Sequence, residues 1–360
     1  RSPFTTFYWA NILAMEGKRK AEEMVVAMQS KRSRSELIVR EGSKNTVVAA
    51  GPRRTSALAA PIMQLSGHQG DVTCGRFHPD GECLVTSGMD RMLLFWRVYG
   101  DCENFGMLTG HTNAVTEMSF NTDGSVLYSA SADKTVMVWD LTTGQRIKKL
   151  KGHSSFVNSV CSARRGPPLI VSSGDDCSII VWDQRRRRPA LTLTNPYQVT
   201  SVTFNDTAEQ VITGGIDNDI KVWDLRKSAT LYRMRGHNDS VTGLSLSPDG
   251  SYVLSNAMDN TLRIWDVRPF APQERCVKIF QGHQHSFEQS LLRCSWSSDG
   301  RRVSAGSSDR HVHIWDTTSR ALIYRLPGHN GAVNEISFHP KEPIVMSVSN
   351  DKQVFLGEIE

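Results

Sequence analysis

The sequence lacks the features that mark several classes of protein. No run of 18 apolar residues occurs among its 360 residues, which excludes a transmembrane helix. The seven cysteines are odd in number and scattered, and no C-x-x-C pair is present, so neither a disulfide framework nor a zinc site is expected. P-loop, H-E-x-x-H and Gly-rich dinucleotide motifs are also missing. We therefore expect a protein of a reducing compartment, without metal, cofactor, membrane partner or small-molecule substrate.

Most of the chain also lacks an excess of either positive or negative charge, as separate counts for the N-terminal segment and the remaining residues show. Residues 1–56 carry 11 of the 42 Lys and Arg but only 5 of the 37 Asp and Glu, a balance of +6. The other 304 residues therefore carry about −1, and the net charge of +5 belongs to the N-terminal segment. A nearly neutral body is not typical of a general electrostatic nucleic-acid binder.

The N-terminal segment has two parts. Residues 1–14 are mildly apolar and begin without Met, which favours a translated leader or an artificial addition, with a genuine extension as the alternative. Residues 15–56 are predicted to form a disordered basic tail. Its two basic clusters, Lys18–Lys20 and Lys31–Arg34, are typical of a nuclear-import signal, although a solvated tail gives the same pattern. We expect nuclear localisation.

The remaining residues, 57–360, repeat with a period of about 42 residues. The repeats, each marked by Gly-His or its equivalent, start near residues 67, 110, 152, 194, 236, 282 and 328. Each repeat ends in Trp-Asp or a degenerate version of it, Trp96-Arg97 in the first and Gly357-Glu358 in the last. An aspartate stands six residues before each of these pairs, at Asp90, Asp133, Asp176, Asp217, Asp259, Asp309 and Asp351.

Between these markers the pattern is that of strands. Short alternating runs, such as residues 125–140, are broken by turn dipeptides. Four short strands per repeat, with Gly-His and Trp-Asp signatures, resemble the WD40 family. The resemblance implies an all-β fold, a seven-bladed β-propeller. Residues 60–66 match the segments before later Gly-His pairs, so we expect them to supply the outer strand of the last blade and to close the ring.

Each repeat also offers a hydroxyl, a histidine, an aspartate and a tryptophan. A buried indole N–H needs an acceptor, so we predict hydrogen-bonded structural tetrads. A hydrolase would instead need one exposed copy with an oxyanion hole. The predicted tetrads are His111, Ser129, Asp133, Trp139; His153, Ser172, Asp176, Trp182; and His237, Ser255, Asp259, Trp265. Asn195, Ala305 and the two degenerate pairs predict incomplete networks in blades one, four, six and seven.

The loops that carry the histidines and aspartates lie on one face of a propeller, here called the top face. Met89, Ile216 and Met258 precede structural aspartates, and Phe156 and Tyr197 fall near the same entrance. Methionine and aromatic side chains around a central opening are candidate binding residues. The alternative is that they pack onto neighbouring blades.

The opposite, bottom face has a different character. Six arginines map to the bottom hairpins of the third blade: Arg164, Arg165, Arg185, Arg186, Arg187 and Arg188. Such a patch suits a peripheral contact with RNA phosphates or an acidic protein. The alternative is solubility alone, because no aromatic residues interleave to stack on bases.

A narrower resemblance comes from residues 98–105, 214–226, 234–283 and 291–300. These segments resemble the family of WD-repeat subunits of the U5 small nuclear ribonucleoprotein of the spliceosome. That resemblance implies a non-enzymatic component of pre-mRNA splicing, which docks on the large spliceosomal scaffold protein beside other U5 particle proteins. The alternative is a substrate receptor of a cullin-type ubiquitin ligase, since Trp-Asp-x-Arg occurs at 182–185, 223–226 and 265–268.

Overall fold

The computed structural model describes residues 55–272, 274–286 and 290–359. Within these ranges every regular element is a β-strand, and the 28 strands form seven four-stranded antiparallel sheets. No helix in this part of the chain is long and apolar enough to cross a membrane. The predicted all-β, seven-bladed propeller is confirmed.

Each blade has four strands, and the innermost strand comes first in six of the blades. Blades one to three consist of β2 (Val72–Phe77), β3 (Cys83–Gly88), β4 (Met92–Arg97), β5 (Asn104–Thr109); β6 (Val115–Phe120), β7 (Val126–Ser131), β8 (Thr135–Asp140), β9 (Gln145–Lys151); and β10 (Val157–Ser162), β11 (Leu169–Gly174), β12 (Ser178–Asp183), β13 (Pro189–Thr194). Blades four to six consist of β14 (Val199–Phe204), β15 (Gln210–Gly215), β16 (Ile220–Asp224), β17 (Ala229–Met234); β18 (Val241–Leu246), β19 (Tyr252–Ala257), β20 (Leu262–Asp266), β21 (Cys276–Phe280); and β22 (Cys294–Trp296), β23 (Arg302–Ala305), β24 (Val312–Asp316), β25 (Leu322–Leu326). Blade seven combines β26 (Val333–Phe338), β27 (Ile344–Ser349) and β28 (Gln353–Glu358) with β1 (Ile62–Ser66).

The turn between the second and third strands has the same geometry in each blade. In six blades its aspartate accepts a hydrogen bond from the backbone N–H two residues later, as Asp133 does from Thr135 at 3.1 Å. The residue between them is left-handed in all seven blades, with φ from 58° to 70°. These residues are Arg91, Lys134, Cys177, Asn218, Asn260, Arg310 and Lys352. Because this conformation is unfavourable for side chains other than glycine, the aspartate's hydrogen bond holds the turn in place.

Neighbouring blades are joined near the centre of the ring. In six blades the innermost strand carries one extra, bulged residue, which opposes no partner in its own sheet. The bulged side chain donates instead to a carbonyl of the next blade, as Thr73 Oγ1 does to Val115 O at 2.6 Å. The bulged residues are Thr73, Thr116, Asn158, Thr200, Thr242 and Asn334. Blades six and seven are joined by backbone hydrogen bonds between Ser307 and Val333, of 3.0 and 2.8 Å.

The hydrophobic core lies in layers between adjacent blades. Between blades seven and one, for example, Met346 and Val348 pack with Leu84 and Trp96. The inner strands are almost entirely buried, whereas the outer strands expose alternate residues to solvent, as expected for a sheet with one covered face.

The ring closes as the sequence predicts. Strand β1 pairs antiparallel with β28 in a regular register from Ile62 opposite Gly357 to Ser66 opposite Gln353. Contacts begin earlier than the predicted boundary at residue 57, because the backbone N–H groups of Thr55 and Ser56 donate to Glu358 at 2.5 and 2.7 Å. The leader at 1–14, the two basic clusters and the rest of the predicted tail up to residue 54 lie outside the described residues.

Deleting residues 55–66 should destabilise the propeller much more than deleting residues 1–50. The first deletion removes a ladder of backbone hydrogen bonds and Leu65, which is 1% exposed. Loss of one buried leucine costs about 2–5 kcal/mol. We therefore expect the melting temperature to fall by roughly 5 °C or more, since about 1 kcal/mol corresponds to about 2–4 °C in domains of this kind. Equal melting temperatures for the two truncated proteins would contradict closure by β1.

Candidate interaction surfaces

The tetrad residues form continuous hydrogen-bonded chains in four blades. In blade five, His237 Nδ1 lies 3.0 Å from Asp259 and its Nε2 lies 2.6 Å from Ser255 Oγ, which also accepts the Trp265 indole N–H at 2.7 Å. The same chain joins His111, Ser129, Asp133, Trp139; His153, Ser172, Asp176, Trp182; and His68, Thr86, Asp90, Trp96.

The expectation of an incomplete network in blade one is wrong. All four members are present there, and His68 lies 2.6 Å from Asp90 and 2.7 Å from Thr86. The degenerate pair Trp96-Arg97 retains the tryptophan. Only the aspartate of the usual Trp-Asp pair is replaced, by Arg97, and that aspartate takes no part in the tetrad.

The electrostatics of the tetrads suit a structural role. Burial opposes ionisation of the aspartates, but hydrogen bonds from the histidine and a neighbouring hydroxyl hold the pKa of Asp133, Asp176 and Asp259 far below the usual range. Burial also lowers the pKa of His237, despite the adjacent carboxylate. A neutral imidazole can therefore donate to the aspartate and accept from the serine. The serine hydroxyls are fully buried beneath the indoles, where no substrate reaches them.

Blade four has Asn195 at the histidine position, and a lysine from its third strand, β16, contacts the aspartate instead. Lys221 Nζ donates to Asn195 Oδ1 at 2.6 Å and forms an ion pair with Asp217, while Trp223 donates to Thr213 at 2.9 Å. The lysine is only 2% exposed. The sequence signal for this substitution is a lysine in an otherwise apolar strand, "IKVWD", in the one repeat that lacks a histidine.

Blade six rearranges in a comparable way. Its serine position is Ala305, so the Trp315 indole donates to the Gln281 carbonyl at 3.1 Å. His283 is the Gly-His histidine of this blade, but the aspartate is contacted by a different histidine. His313 stacks on Trp315 and its Nε2 lies 2.9 Å from Asp309. Burial raises the pKa of Asp309, but hydrogen bonds from Ser307 and His313 outweigh it and lower that pKa to about 2.

Blade seven keeps the polar part of the tetrad and loses the indole. His329 lies 3.0 Å from Asp351 and 2.8 Å from Ser347 Oγ. Gly357 stands where the other blades have tryptophan, and Phe355 packs edge-on against His329 with ring centres 4.7 Å apart. The networks of blades four, six and seven thus depart from the tetrad, each by a different substitution.

A group of side chains at the bottom hairpin of blade one has metal-ligand chemistry. His78, Asp80 and Cys83 lie close enough to surround an ion. However, His78 Nε2 is 3.0 Å from the Gly124 carbonyl, and burial raises the pKa of the Cys83 thiol to about 12. Since metals bind the thiolate, this environment does not favour a site.

A buried arginine occupies the centre of the ring, which sequence reasoning missed. The Arg293 guanidinium donates to the carbonyls of Asn158 (2.6 Å), Thr200 (3.2 Å) and Thr242 (3.1 Å), and lies 3.7 Å from Glu117. These partners belong to blades three, four, five and two, so one side chain from blade six contacts four other blades.

A second arginine completes this central network. Arg76 of blade one contacts Glu117 at 3.3 Å and Glu335 of blade seven at 2.9 Å. The two carboxylates also accept backbone N–H groups, Glu117 from Val160 and Glu335 from Gly75. Two arginines and two glutamates give the network no net charge, and its contacts involve all seven blades.

The top face presents four of the five predicted apolar side chains to solvent. The exposed fractions are 56% for Met89, 47% for Phe156, 56% for Tyr197 and 46% for Ile216. Met258 is partly buried. Phe156 directly precedes β10, Tyr197 lies two residues before β14, and Ile216 directly follows β15, so all three lie in loops of blades three and four.

The bottom arginines are less available than their number indicates. Arg164 donates to the carbonyls of Leu246 and Ser247 of blade five, at 2.8 and 2.6 Å. Arg165 contacts Asp206 at 3.1 Å. Arg185 and Arg186 both face Asp183, at 3.0 and 4.0 Å. Among the described residues, only Arg187 and Arg188 of the six have no acidic or carbonyl partner.

The arginines of the Trp-Asp-x-Arg motifs are also engaged within the blades. Arg185 and Arg268 each fold back onto the aspartate of their own motif, Asp183 and Asp266. Arg226 pairs with Glu209.

Comparison with known proteins agrees with this architecture. The family model "WD domain, G-beta repeat" matches seven segments: residues 59–97, 102–140, 144–183, 187–224, 228–266, 274–316 and 320–356. The chain belongs to the WD40 family. It is 60% identical over 321 residues to the "U5 small nuclear ribonucleoprotein 40 kDa protein" of Mus musculus, covering 89% of this chain and 90% of that protein. The protein of the same name from Dictyostelium discoideum is 46% identical over 96% of this chain and 100% of its own length.

A third relative carries a splicing name as well. The "Pre-mRNA-splicing factor cwf17" of Schizosaccharomyces pombe is 44% identical over 307 residues, covering 85% of this chain and 90% of that protein. The resemblance to the U5 family of WD-repeat subunits, drawn from the sequence, is confirmed.

His237→Ala should lower the free energy of unfolding by about 1–3 kcal/mol, because Ser255 and Asp259 would keep buried polar groups without their partner. Urea denaturation measures the change. His311→Ala, outside the tetrads, is the control and should cost less. A hydrolytic activity abolished by His237→Ala would contradict the structural role.

Stability should fall on acidification as the tetrad aspartates take up protons. The folded-state pKa of Asp259 lies below its ordinary value of about 3.9, so its contribution is present above about pH 4 and is lost as pH falls below it. The urea midpoint should therefore decrease between pH 5 and pH 2, and less steeply in Asp259→Asn. Parallel pH profiles for the two proteins would show that Asp259 contributes no such linkage.

Proposed function

We propose that this protein is a non-catalytic docking subunit of the U5 small nuclear ribonucleoprotein in the nucleus, where it acts in pre-mRNA splicing by binding the large spliceosomal scaffold protein. The observation that carries the proposal is the 60% identity, over nine-tenths of both chains, to a protein named as a U5 particle component. The name of the S. pombe relative supports the same process.

The top face is the surface that best fits such a partner. Exposed methionine and aromatic side chains provide large contact areas that a partner can desolvate, and a few such residues carry most of the affinity of an interface. The body carries almost no net charge, so long-range attraction adds little to recognition. We therefore assign scaffold binding to Met89, Phe156, Tyr197 and Ile216.

The bottom face is assigned a smaller role. Four of its six arginines are already engaged by carbonyls or carboxylates of the propeller itself. A peripheral RNA contact therefore falls to Arg187 and Arg188, and its strength should depend on salt.

The ubiquitin-ligase alternative gains no support from the geometry. An adaptor that binds through Trp-Asp-x-Arg would have to displace the aspartates that already hold Arg185 and Arg268. The relatives named above carry splicing names.

Met89→Asp and Ile216→Asp should weaken co-purification with the scaffold protein from nuclear extract by about tenfold or more, because each places a charge where apolar contact is needed. Ile147→Asp is a matched control. It changes an isoleucine of similar exposure, 45%, on the outer strand of blade two. Quantitative mass spectrometry of the bound proteins provides the measurement.

Replacing Arg185–Arg188 with serine distinguishes binding at the bottom face from binding at the top face. We expect this variant to retain the scaffold protein and to lose any RNA or acidic partner at low salt only. Loss of the scaffold in this variant, with Met89→Asp and Ile216→Asp unaffected, would reverse the assignment of faces. Recovery of a cullin adaptor in place of U5 proteins would refute the proposal as a whole.

A further inference from the structure

A large groove lies at blade seven, on the opposite side of the ring from Phe156, Tyr197 and Ile216 of blades three and four. It has a volume of ≈ 1030 Å³ and runs along strands β28 and β1 between blade six and the bottom hairpin of blade one. Apolar side chains, among them Ile62, Met63, Leu326 and Phe355, form part of its walls. At its inner end lie Gly328, His329, Ser347, Phe355 and Gly357, which we call the blade-seven socket.

The other blades show what normally fills such a socket. In blades one, two, three and five, the glycine of the Gly-His pair lies against the tryptophan of the same blade. A methyl group added to Gly67, Gly110, Gly152 or Gly236 would come within 2.7 to 3.1 Å of an indole carbon or, at Gly236, an arginine that lies beside it. At Gly328 the nearest atom is Phe355 Cζ, 3.9 Å away, and a methyl group added to Gly357 would have nothing within 4 Å. Phe355 thus lies near Gly328, and the space beside Gly357, where the other blades carry their indole, is open.

The polar partner of the missing indole is still in place. The hydroxyls of Thr86, Ser129, Ser172 and Ser255 each meet a histidine and an indole N–H. Ser347 Oγ, in contrast, is bonded to His329 alone within the described part of the chain. This buried hydroxyl lines the groove and can accept one further N–H.

The outer strand is also adapted to the opening. In the six blades that contain tryptophan, the outer ladder has an irregularity immediately before that residue. The ladder between β28 and β1 is regular throughout. Blade seven is therefore built without an indole of its own, and its sheet is complete with the socket open.

The charge around the groove restricts what can enter. Asp101, Glu103, Asp351 and Glu358 line it, and its lining contains no lysine or arginine. The rim therefore favours a segment with positive charges beside its apolar side chain.

We propose that the blade-seven socket binds a tryptophan side chain from a lysine- or arginine-containing segment of another protein. The indole would lie beside Gly357 and against Phe355 and donate its N–H to Ser347 Oγ, as the tryptophans of blades one to five donate to the hydroxyls of their own blades. Flanking basic side chains would face Asp101 and Glu103. The groove contains none of the four residues assigned to scaffold binding, Met89, Phe156, Tyr197 and Ile216, so the proposal stands independently of that assignment.

The test uses the full-length protein and a synthetic peptide, acetyl-Gly-Lys-(5-fluoro-Trp)-Lys-Gly-amide, followed by ¹⁹F NMR. We expect saturable binding to the unmodified protein. A peptide with 4-fluorophenylalanine in place of the indole should bind at least fivefold more weakly, because it has no N–H for Ser347. Ser347→Ala should remove this preference for the indole.

Two variants locate the site. Gly357→Trp fills the socket from within, and Ile62→Lys places a positive charge on its exposed wall, where the isoleucine is 66% exposed. Each should weaken peptide binding at least tenfold. Ile147→Lys on blade two is the matched control and should bind the peptide as the unmodified protein does. Circular dichroism and the melting temperature establish that each variant is folded, and Ile62→Lys remains informative if Gly357→Trp does not fold.

Three results would overturn the proposal. The first is the absence of saturable binding to the unmodified protein. The second is equal binding by the folded Ile62→Lys variant and the unmodified protein, and the third is equal affinity for the two peptides. If instead Trp9→Phe tightened peptide binding, a tryptophan of this same chain would be the occupant, and assignment to another protein would be wrong.

Discussion

The pairing of β1 with β28 is the interaction on which the rest of the architecture depends. Each blade buries its apolar faces only against its two neighbours, so an open ring would expose a complete core layer at the seventh junction. The pairing also covers the edge of β28, which would otherwise be free to recruit strands from other molecules. Every other contact, including those of the top face, is positioned by a ring that this ladder keeps closed.

The period of the sequence predicts the parts of the structure that repeat. The blade count, the closing strand and the tetrad positions follow from residues at fixed spacing, because each blade makes the same hydrogen bonds with its own residues. The error in blade one came from treating Arg97 as part of the network, when only Trp96 belongs to it. Position before a structural aspartate does not by itself decide exposure, since Met89 and Ile216 are exposed and Met258, in the same position, is partly buried.

The parts that do not repeat could not be predicted in this way. Lys221 and His313 contact the aspartates of their blades in place of the usual histidine. Both lie on the third strand of the blade and not at the histidine position, so the spacing of the repeat does not reveal them. Arg293 is less predictable still, since its partners come from four other blades and its role depends on the closed ring. The hydrogen bonds from Arg164 of blade three to carbonyls of blade five are likewise contacts between residues far apart in the sequence.

The charged network on the axis has a consequence for the way the propeller can be used. Removing Glu117 would leave the buried Arg293 without an acidic partner, and removing Arg76 would leave Glu335 without a basic one. Contacts from all seven blades meet in this network, so a partner on either face would bind a ring whose blades are tied together at the centre.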